Sequence, residues 1–222
     1  SGIERINQDV IEYKLDSISD TSPLVWKPLA ELDPAVYSKY LKQTNSICAD
    51  LTYSCRIAWD NVFNANWAIV EDCLVIVSDG GNYTSPFMLM PLGMLDTNRL
   101  ERIILKCKVF FEQNNYEMQI RCIDKARLEL FEKISLPHGE ASYAYDSSDY
   151  IYDYETLSTL KGAKMTKKRN HLSKFLRECP DYKYVSLTKA MKSDVLKLCE
   201  KWCQLKGANK DNLDASDYRM IE

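Results

Sequence analysis

The chain has 222 residues, of which 45% are apolar, and a formal net charge of −3 at pH 7. This length is enough for one large hydrophobic core or two small ones. The near-neutral charge excludes a general attraction to nucleic acid or to an anionic membrane, so any such partner must bind a local basic patch.

Cysteine and hydropathy patterns exclude several other classes of protein. The eight cysteines are scattered, most of them in apolar runs, with no CxxC motif and no paired Cys/His spacing, so the sequence predicts free thiols and no metal site. There is no signal peptide, and no apolar run approaches about 18 residues, so no transmembrane segment is expected. A cytoplasmic protein is the simplest interpretation.

The N-terminal part begins with polar residues and then shows helix signals. Residues 1–23 have weak periodicity and are interpreted as an extension or a peripheral helix. A short strand is predicted at 26–29. Asp33 followed by Pro34 predicts the start of a helix, because Asp is a favoured N-cap and Pro a favoured first residue. Residues 47–63 predict a short helix or turn packed on the core.

The middle of the chain combines an antiparallel meander with alternating helices and strands. β-branched runs at 66–70 and 73–77 are separated only by Glu71-Asp72, which is a hairpin signal, and 87–92 continues as a third strand. The elements predicted next are a helix at 98–113, a strand at 116–123, a helix at 124–133 and a pair of short strands within 141–153. This order predicts an α/β or α+β fold with a partly parallel, mixed sheet flanked by helices.

The sign of the charge reverses within residues 143–179. The first half of this segment is acidic and rich in tyrosine, and the second half is basic. Residues 164–179 predict an amphipathic helix that stops at Pro180. A strand at 181–187, a helix at 188–206 and the beginning of another helix at 214 are predicted to follow.

Four basic residues lie in the first two turns of the predicted 164–179 helix. Lys164, Lys167, Lys168 and Arg169 oppose the helix macrodipole there. This placement favours a site for an anionic ligand, such as the phosphates of an acyl donor. A solvated helix face is an equally good interpretation. Asn170 is grouped with these residues as a candidate for binding the substrate or donor, although a bond to backbone or to a neighbouring loop is also expected of it.

His171 and the acidic, tyrosine-rich segment supply the other candidate site residues. His171 is one of two histidines and suits a general base near neutral pH, although a structural hydrogen bond is the commoner role. Tyr152 belongs to a set of tyrosines that alternate as on one face of a strand, where core packing competes with lining a pocket. Asp153 would hold the amine of an acceptor or pair with the basic helix.

The segment DYIYDYETLSTLKGAKMTKKRNHLSKFLRECPDYKY, at 149–184, carries a family resemblance. It resembles the central signature of bacterial proteins related to the C-terminal domain of phosphatidylglycerol lysyltransferase, and KKRNHLSKF is its most specific part. The earlier stretch ADLTYSCRIAWDNVFNANWAIVEDCLVIV is similar to the first half of that family. The resemblance covers residues 24–222.

This resemblance implies two tandem GNAT-like acyltransferase folds. Residues 24–182 would form the first GNAT-like domain and 183–222 the incomplete start of the second. The implied activity moves an aminoacyl group from aminoacyl-tRNA, or an acyl group from acyl-CoA, to an amine- or hydroxyl-bearing acceptor such as a lipid headgroup. The alternatives are a non-catalytic module whose basic helix binds tRNA or anionic lipid, and a purely structural role. The expected location is the cytoplasm, with peripheral association at the membrane left open. No cofactor beyond the donor is implied, and the oligomeric state is left open.

Overall fold

The computed structural model describes residues 10–11, 23–82, 84–143 and 148–206. Contacts divide the chain into two compact units. The sheet unit comprises Ser1–Ser147 together with Leu198–Glu222, and the basic unit comprises Ser148–Lys197.

A six-stranded mixed sheet forms the centre of the sheet unit. In spatial order β1-β6-β5-β4-β3-β2, all neighbouring strands are antiparallel except β5 and β6, which are parallel. The strands are β1 (Val10–Ile11), β2 (Lys27–Pro28), β3 (Ala65–Val70), β4 (Cys73–Ser78), β5 (Phe87–Leu89) and β6 (Met118–Arg121). The predicted mixed sheet flanked by helices is confirmed. Val10–Ile11 is a strand where the sequence predicted an extension or a peripheral helix.

The described part of the chain contains seven α-helices. They are α1 (Pro34–Thr44), α2 (Tyr53–Phe63), α3 (Thr97–Glu112), α4 (Lys125–Phe131), α5 (Tyr154–Thr159), α6 (Thr166–Glu178) and α7 (Lys192–Lys206). Short 3-10 turns occupy Leu29–Glu31, Ala49–Leu51, Ala163–Met165 and Lys189–Met191. The predicted Asp33 cap is confirmed, because its Oδ1 accepts a hydrogen bond from the backbone N–H of Ala35 at 2.7 Å.

The core lies on both faces of the sheet, and β4 shows why. Successive side chains of a strand point to opposite faces, so Val75 and Val77 pack in the cluster that contains Ile104 of α3. Leu74 and Ile76 pack in the cluster on the other face, with Tyr37, Leu51 and Leu92. Every residue of β4 is buried, which explains its continuous apolar sequence.

The predicted hairpin between β3 and β4 is confirmed and is tied to α3. Val70 pairs with Cys73, so Glu71 and Asp72 form a two-residue turn, with φ values of 51° and 56°. The Glu71 carboxylate accepts hydrogen bonds from Arg102 Nε at 2.8 Å and from Lys106 Nζ at 2.8 Å.

Two strand predictions in the C-terminal half are wrong for the described residues. The structure has no strand at 141–143, at 148–153 or at 181–187. Tyr150 and Tyr184 are 82% and 99% exposed, and no neighbouring strand pairs with their segments in the described part of the chain. A β-strand needs such a neighbour to satisfy its backbone. The predicted helix at 214 lies outside the described residues.

Candidate anion-binding surface

Positive charge is concentrated in one stretch of the basic unit. Residues 161–192 hold ten Lys or Arg and two Asp or Glu, a net charge of +8 in a chain whose total is −3. All of the lysines in this stretch are exposed. The exposed positive charge is therefore local to this stretch, as the overall charge requires of any cationic binding site.

A tight turn connects the end of α5 to the start of α6. Leu160 ends α5 in the left-handed conformation with φ 50°. Gly162 follows with φ 91°, and a Cβ added there would meet nothing within 4 Å. Glycine is therefore needed at 162 for its backbone conformation rather than for space. The 3-10 turn Ala163–Met165 then leads directly into α6.

Arg169 holds this turn together. Its guanidinium donates to the backbone carbonyl of Leu160, to that of Gly162 at 2.8 Å, and to Thr166 Oγ1 at 3.1 Å. These bonds satisfy carbonyl groups left free where α5 ends. Arg169 is half-buried, in contrast to the exposed lysines beside it.

Lys164, Lys167 and Lys168 are uncompensated cations at the start of α6. Lys164 lies in the 3-10 turn and the other two lie in the first turn of the helix, which has no acidic residue and no side-chain cap. Among the described residues, Lys174 pairs with Glu178 at 3.7 Å, whereas none of the three forms an ion pair. Their mutual repulsion and the helix macrodipole are unfavourable, and a bound phosphate would relieve both.

The structure leaves Asn170 and His171 exposed on α6. Neither side chain has a hydrogen-bond partner among the described residues. The bond expected of Asn170 is therefore not found there, and nothing in that part of the chain fixes the tautomer or orientation of the His171 imidazole. The binding and catalytic roles expected of them from sequence stay predictions.

Asp153 and Tyr152 precede α5. The Asp153 carboxylate caps that helix by accepting a hydrogen bond from the Thr156 N–H at 2.8 Å. Hydrogen bonds from Thr156 lower the pKa of Asp153. No ion pair joins Asp153 to a lysine in the described part of the chain. Tyr152 is 48% exposed and lies in irregular structure rather than in the predicted strand.

The sheet unit contains a small, mostly apolar pocket, lined also by an arginine and an aspartate, that the sequence did not predict. Arg56 and Asp60, one turn apart on α2, line a cavity of about 10 Å³ together with Phe63 and Phe87, room for about one water molecule. The Nε of Arg56 is buried without a partner among the described residues. Burial raises the pKa of Asp60. The i,i+4 spacing of an Arg and an Asp beside aromatic residues was the available signal.

Two further features concern ligands and membranes. No group of three or more His, Cys, Asp or Glu side chains is arranged to hold a metal ion in the ranges described. None of the described helices combines the length and the apolar character that crossing a bilayer requires.

The fold and this surface define a mixed α/β protein with a lysine-rich helix. The chain belongs to the family described as phosphatidylglycerol lysyltransferase, C-terminal, whose model matches residues 50–219. The predicted resemblance is therefore confirmed, since the match includes the KKRNHLSKF segment.

A solved structure supports the fold. The chain is similar to a conserved protein of unknown function from Bacteroides thetaiotaomicron VPI-5482, with a TM-score of 0.71 and 23% sequence identity. The similarity covers 89% of this chain and 65% of that protein, so this chain spans somewhat less than two thirds of its length. No curated protein matches the chain.

Proposed function

We propose that the protein transfers an aminoacyl group from aminoacyl-tRNA to a hydroxyl- or amine-bearing lipid headgroup. Family membership supports the reaction class. The observation that carries the proposal for the donor is a set of three lysines at the start of α6, Lys164, Lys167 and Lys168, which form no ion pair with any described residue. Their side chains would contact the phosphates of the tRNA.

The distribution of charge favours tRNA over acyl-CoA as the donor. Ten basic residues spread over 161–192 suit a polyanion with many phosphates. In the sheet unit, α1 and α3 are capped by the carboxylates of Asp33 and Asp96. A carboxylate at a helix N-terminus occupies the N–H groups that a pyrophosphate would use and repels it.

The proposed chemistry is a simple acyl transfer. The oxygen or nitrogen of the acceptor forms a bond to the aminoacyl carbonyl carbon, and the ester bond to the tRNA ribose oxygen breaks. The acceptor proton passes to a base, and the departing ribose oxygen takes up a proton. His171 is the candidate base, because a neutral imidazole accepts a proton near neutral pH.

A pair of lysine variants tests the donor site. Lys167→Ala/Lys168→Ala removes two unpaired cations, whereas Lys39→Ala/Lys42→Ala removes two exposed lysines from α1. Arg169 is left unchanged because it holds the turn before α6. We expect the first variant to bind tRNA about tenfold more weakly at about 100 mM salt. The slope of log binding constant against log salt concentration should be smaller in magnitude by about 2.

The control variant should bind tRNA as the wild type does. Equal binding by the two variants would contradict the assignment of the donor to α6. Tight tRNA binding with no transfer to lipid under any condition would instead favour the non-catalytic module.

A further inference from the structure

Arg121 is held in a fixed position at the end of β6, in the sheet unit. Its Nη2 donates to Thr84 Oγ1 and to Gln119 Oε1, the latter at 3.2 Å. Its guanidinium carbon lies 4.2 Å from the centroid of the Phe87 ring. Stacking and two hydrogen bonds fix the plane of the guanidinium, so it is ordered in advance for a planar ligand.

This ordered cation has no carboxylate partner among the described residues. Arg56, Arg102 and Arg127 form ion pairs with acidic residues at 3.4, 2.8 and 2.9 Å. Arg121 forms none, and its Nε is buried without a hydrogen-bond partner in the described part of the chain. Burial lowers the pKa of Arg121. A half-buried charge without a counter-ion is unfavourable unless an anion binds it.

We propose that Arg121 is the centre of a binding site for an oxyanion, either a carboxylate or a phosphate group. The guanidinium supplies charge and N–H donors. Thr84 accepts a hydrogen bond from Arg121, so its own hydroxyl proton is available to the ligand. The side-chain amide of Gln119 accepts through Oε1, so its NH₂ group is a further donor.

The Arg121 side chain extends back along the parallel strands β5 and β6. Its backbone pairs with Leu89 at the end of β5, whereas its guanidinium lies against Phe87 at the start of β5 and bonds to Thr84, which precedes that strand. The proposed site shares no residue with the lysines of α6, so it goes beyond the proposed function and can fail independently of it.

Titration with inorganic phosphate and with sodium acetate, each against chloride at constant ionic strength, tests this site. In the wild-type protein we expect the side-chain Nε–H NMR resonance of Arg121 to shift with one of the two anions. We also expect a rise in Tm of about 3 °C at saturation. A response to phosphate alone identifies a phosphate ligand, and a response to acetate alone identifies a carboxylate.

Variants separate this site from other anion binding. Arg121→Gln should lose the rise in Tm. Arg102→Gln, which removes an exposed arginine, and Lys167→Ala/Lys168→Ala should both keep it. If Arg121→Gln does not fold, Arg121→Lys takes its place and should show a weaker response. The proposal would be overturned if neither anion shifts the Nε–H resonance of Arg121. It would also be overturned if a folded Arg121 variant shows the same rise in Tm as the wild type.

Discussion

Arg169 and Lys168 are adjacent basic residues with different surroundings. Arg169 donates to two backbone carbonyls and to Thr166, whereas Lys168 is exposed and forms no ion pair among the described residues. The sequence pattern grouped them as one cationic patch. The pattern did not indicate that the planar guanidinium of Arg169 would donate hydrogen bonds to the backbone of the preceding turn.

This difference predicts unequal effects on stability. Arg169→Met should lower the free energy of unfolding of the basic unit by about 1–2 kcal/mol, because it leaves carbonyl groups at the end of α5 without their donor. Lys168→Met on the same helix should change it by less than about 0.5 kcal/mol. Amide hydrogen exchange across α5 and α6 measures both. Equal protection in the two variants would show that Arg169 does not stabilise the turn.

Asp153 is a second residue whose contacts were not predicted from the sequence. Its sequence neighbours suggested an acceptor site or an ion pair, and the structure adds its role as the N-cap of α5. Asp favours that role whenever a helix follows. The signal was present in the sequence, but the strand predicted over 141–153 concealed the start of the helix.

At the scale of elements, local signals predicted the meander well. The Glu71-Asp72 turn, the β-branched runs beside it and the apolar face of α3 all depend on neighbours close in sequence. The strand at 181–187 depended on partners elsewhere. Its composition suits a strand, but Tyr184 is 99% exposed and pairs with no strand in the described residues. Composition alone does not supply a hydrogen-bonding partner.

The contact between the hairpin and α3 predicts a pH dependence. Hydrogen bonds from Lys106 and Arg102 lower the pKa of Glu71 below its ordinary value of 4.5. A carboxyl group whose pKa is lower in the folded state contributes stability above its unfolded pKa, and loses it as the pH falls through the folded value. The wild type should therefore lose this contribution below about pH 4.5.

Glu71→Gln removes the charge and keeps an acceptor. We expect it to reduce the free energy of unfolding by about 0.5–1 kcal/mol at pH 7 and to flatten the decline of stability below pH 4.5. Urea titrations at several pH values measure this. Glu117→Gln, at an exposed position with no partner among the described residues, should leave the profile unchanged. A Glu71→Gln profile parallel to that of the wild type would contradict the role of the pair.

At the scale of the whole molecule, the two units differ in how they are built. The sheet unit buries apolar side chains on both faces of its sheet. In the basic unit, no described residue is fully buried, and Leu172, Phe175 and Leu176 of α6 remain 42–47% exposed. Helical periodicity predicted the apolar face of α6 correctly, but periodicity carries no information on how deeply a face is buried.

The domain boundaries predicted from the sequence differ from the grouping by contacts. The sequence suggested a GNAT-like domain at 24–182 followed by the start of another at 183–222, and these boundaries stay a prediction. Contacts group Ser148–Lys197 as one unit. The family itself was readable from a short signature, because KKRNHLSKF lies within the matched residues 50–219.

Transfer of label from tRNA to lipid is the most direct test of the central claim. The protein is incubated with tRNA charged with radiolabelled lysine and with vesicles of phosphatidylglycerol, or of phosphatidylcholine as a control, and the organic extract is counted. We expect label in the phosphatidylglycerol extract, about tenfold less with Lys167→Ala/Lys168→Ala at limiting tRNA, and about 10²-fold less with His171→Ala. The absence of labelled lipid with wild-type protein that binds the charged tRNA would contradict an aminoacyltransferase.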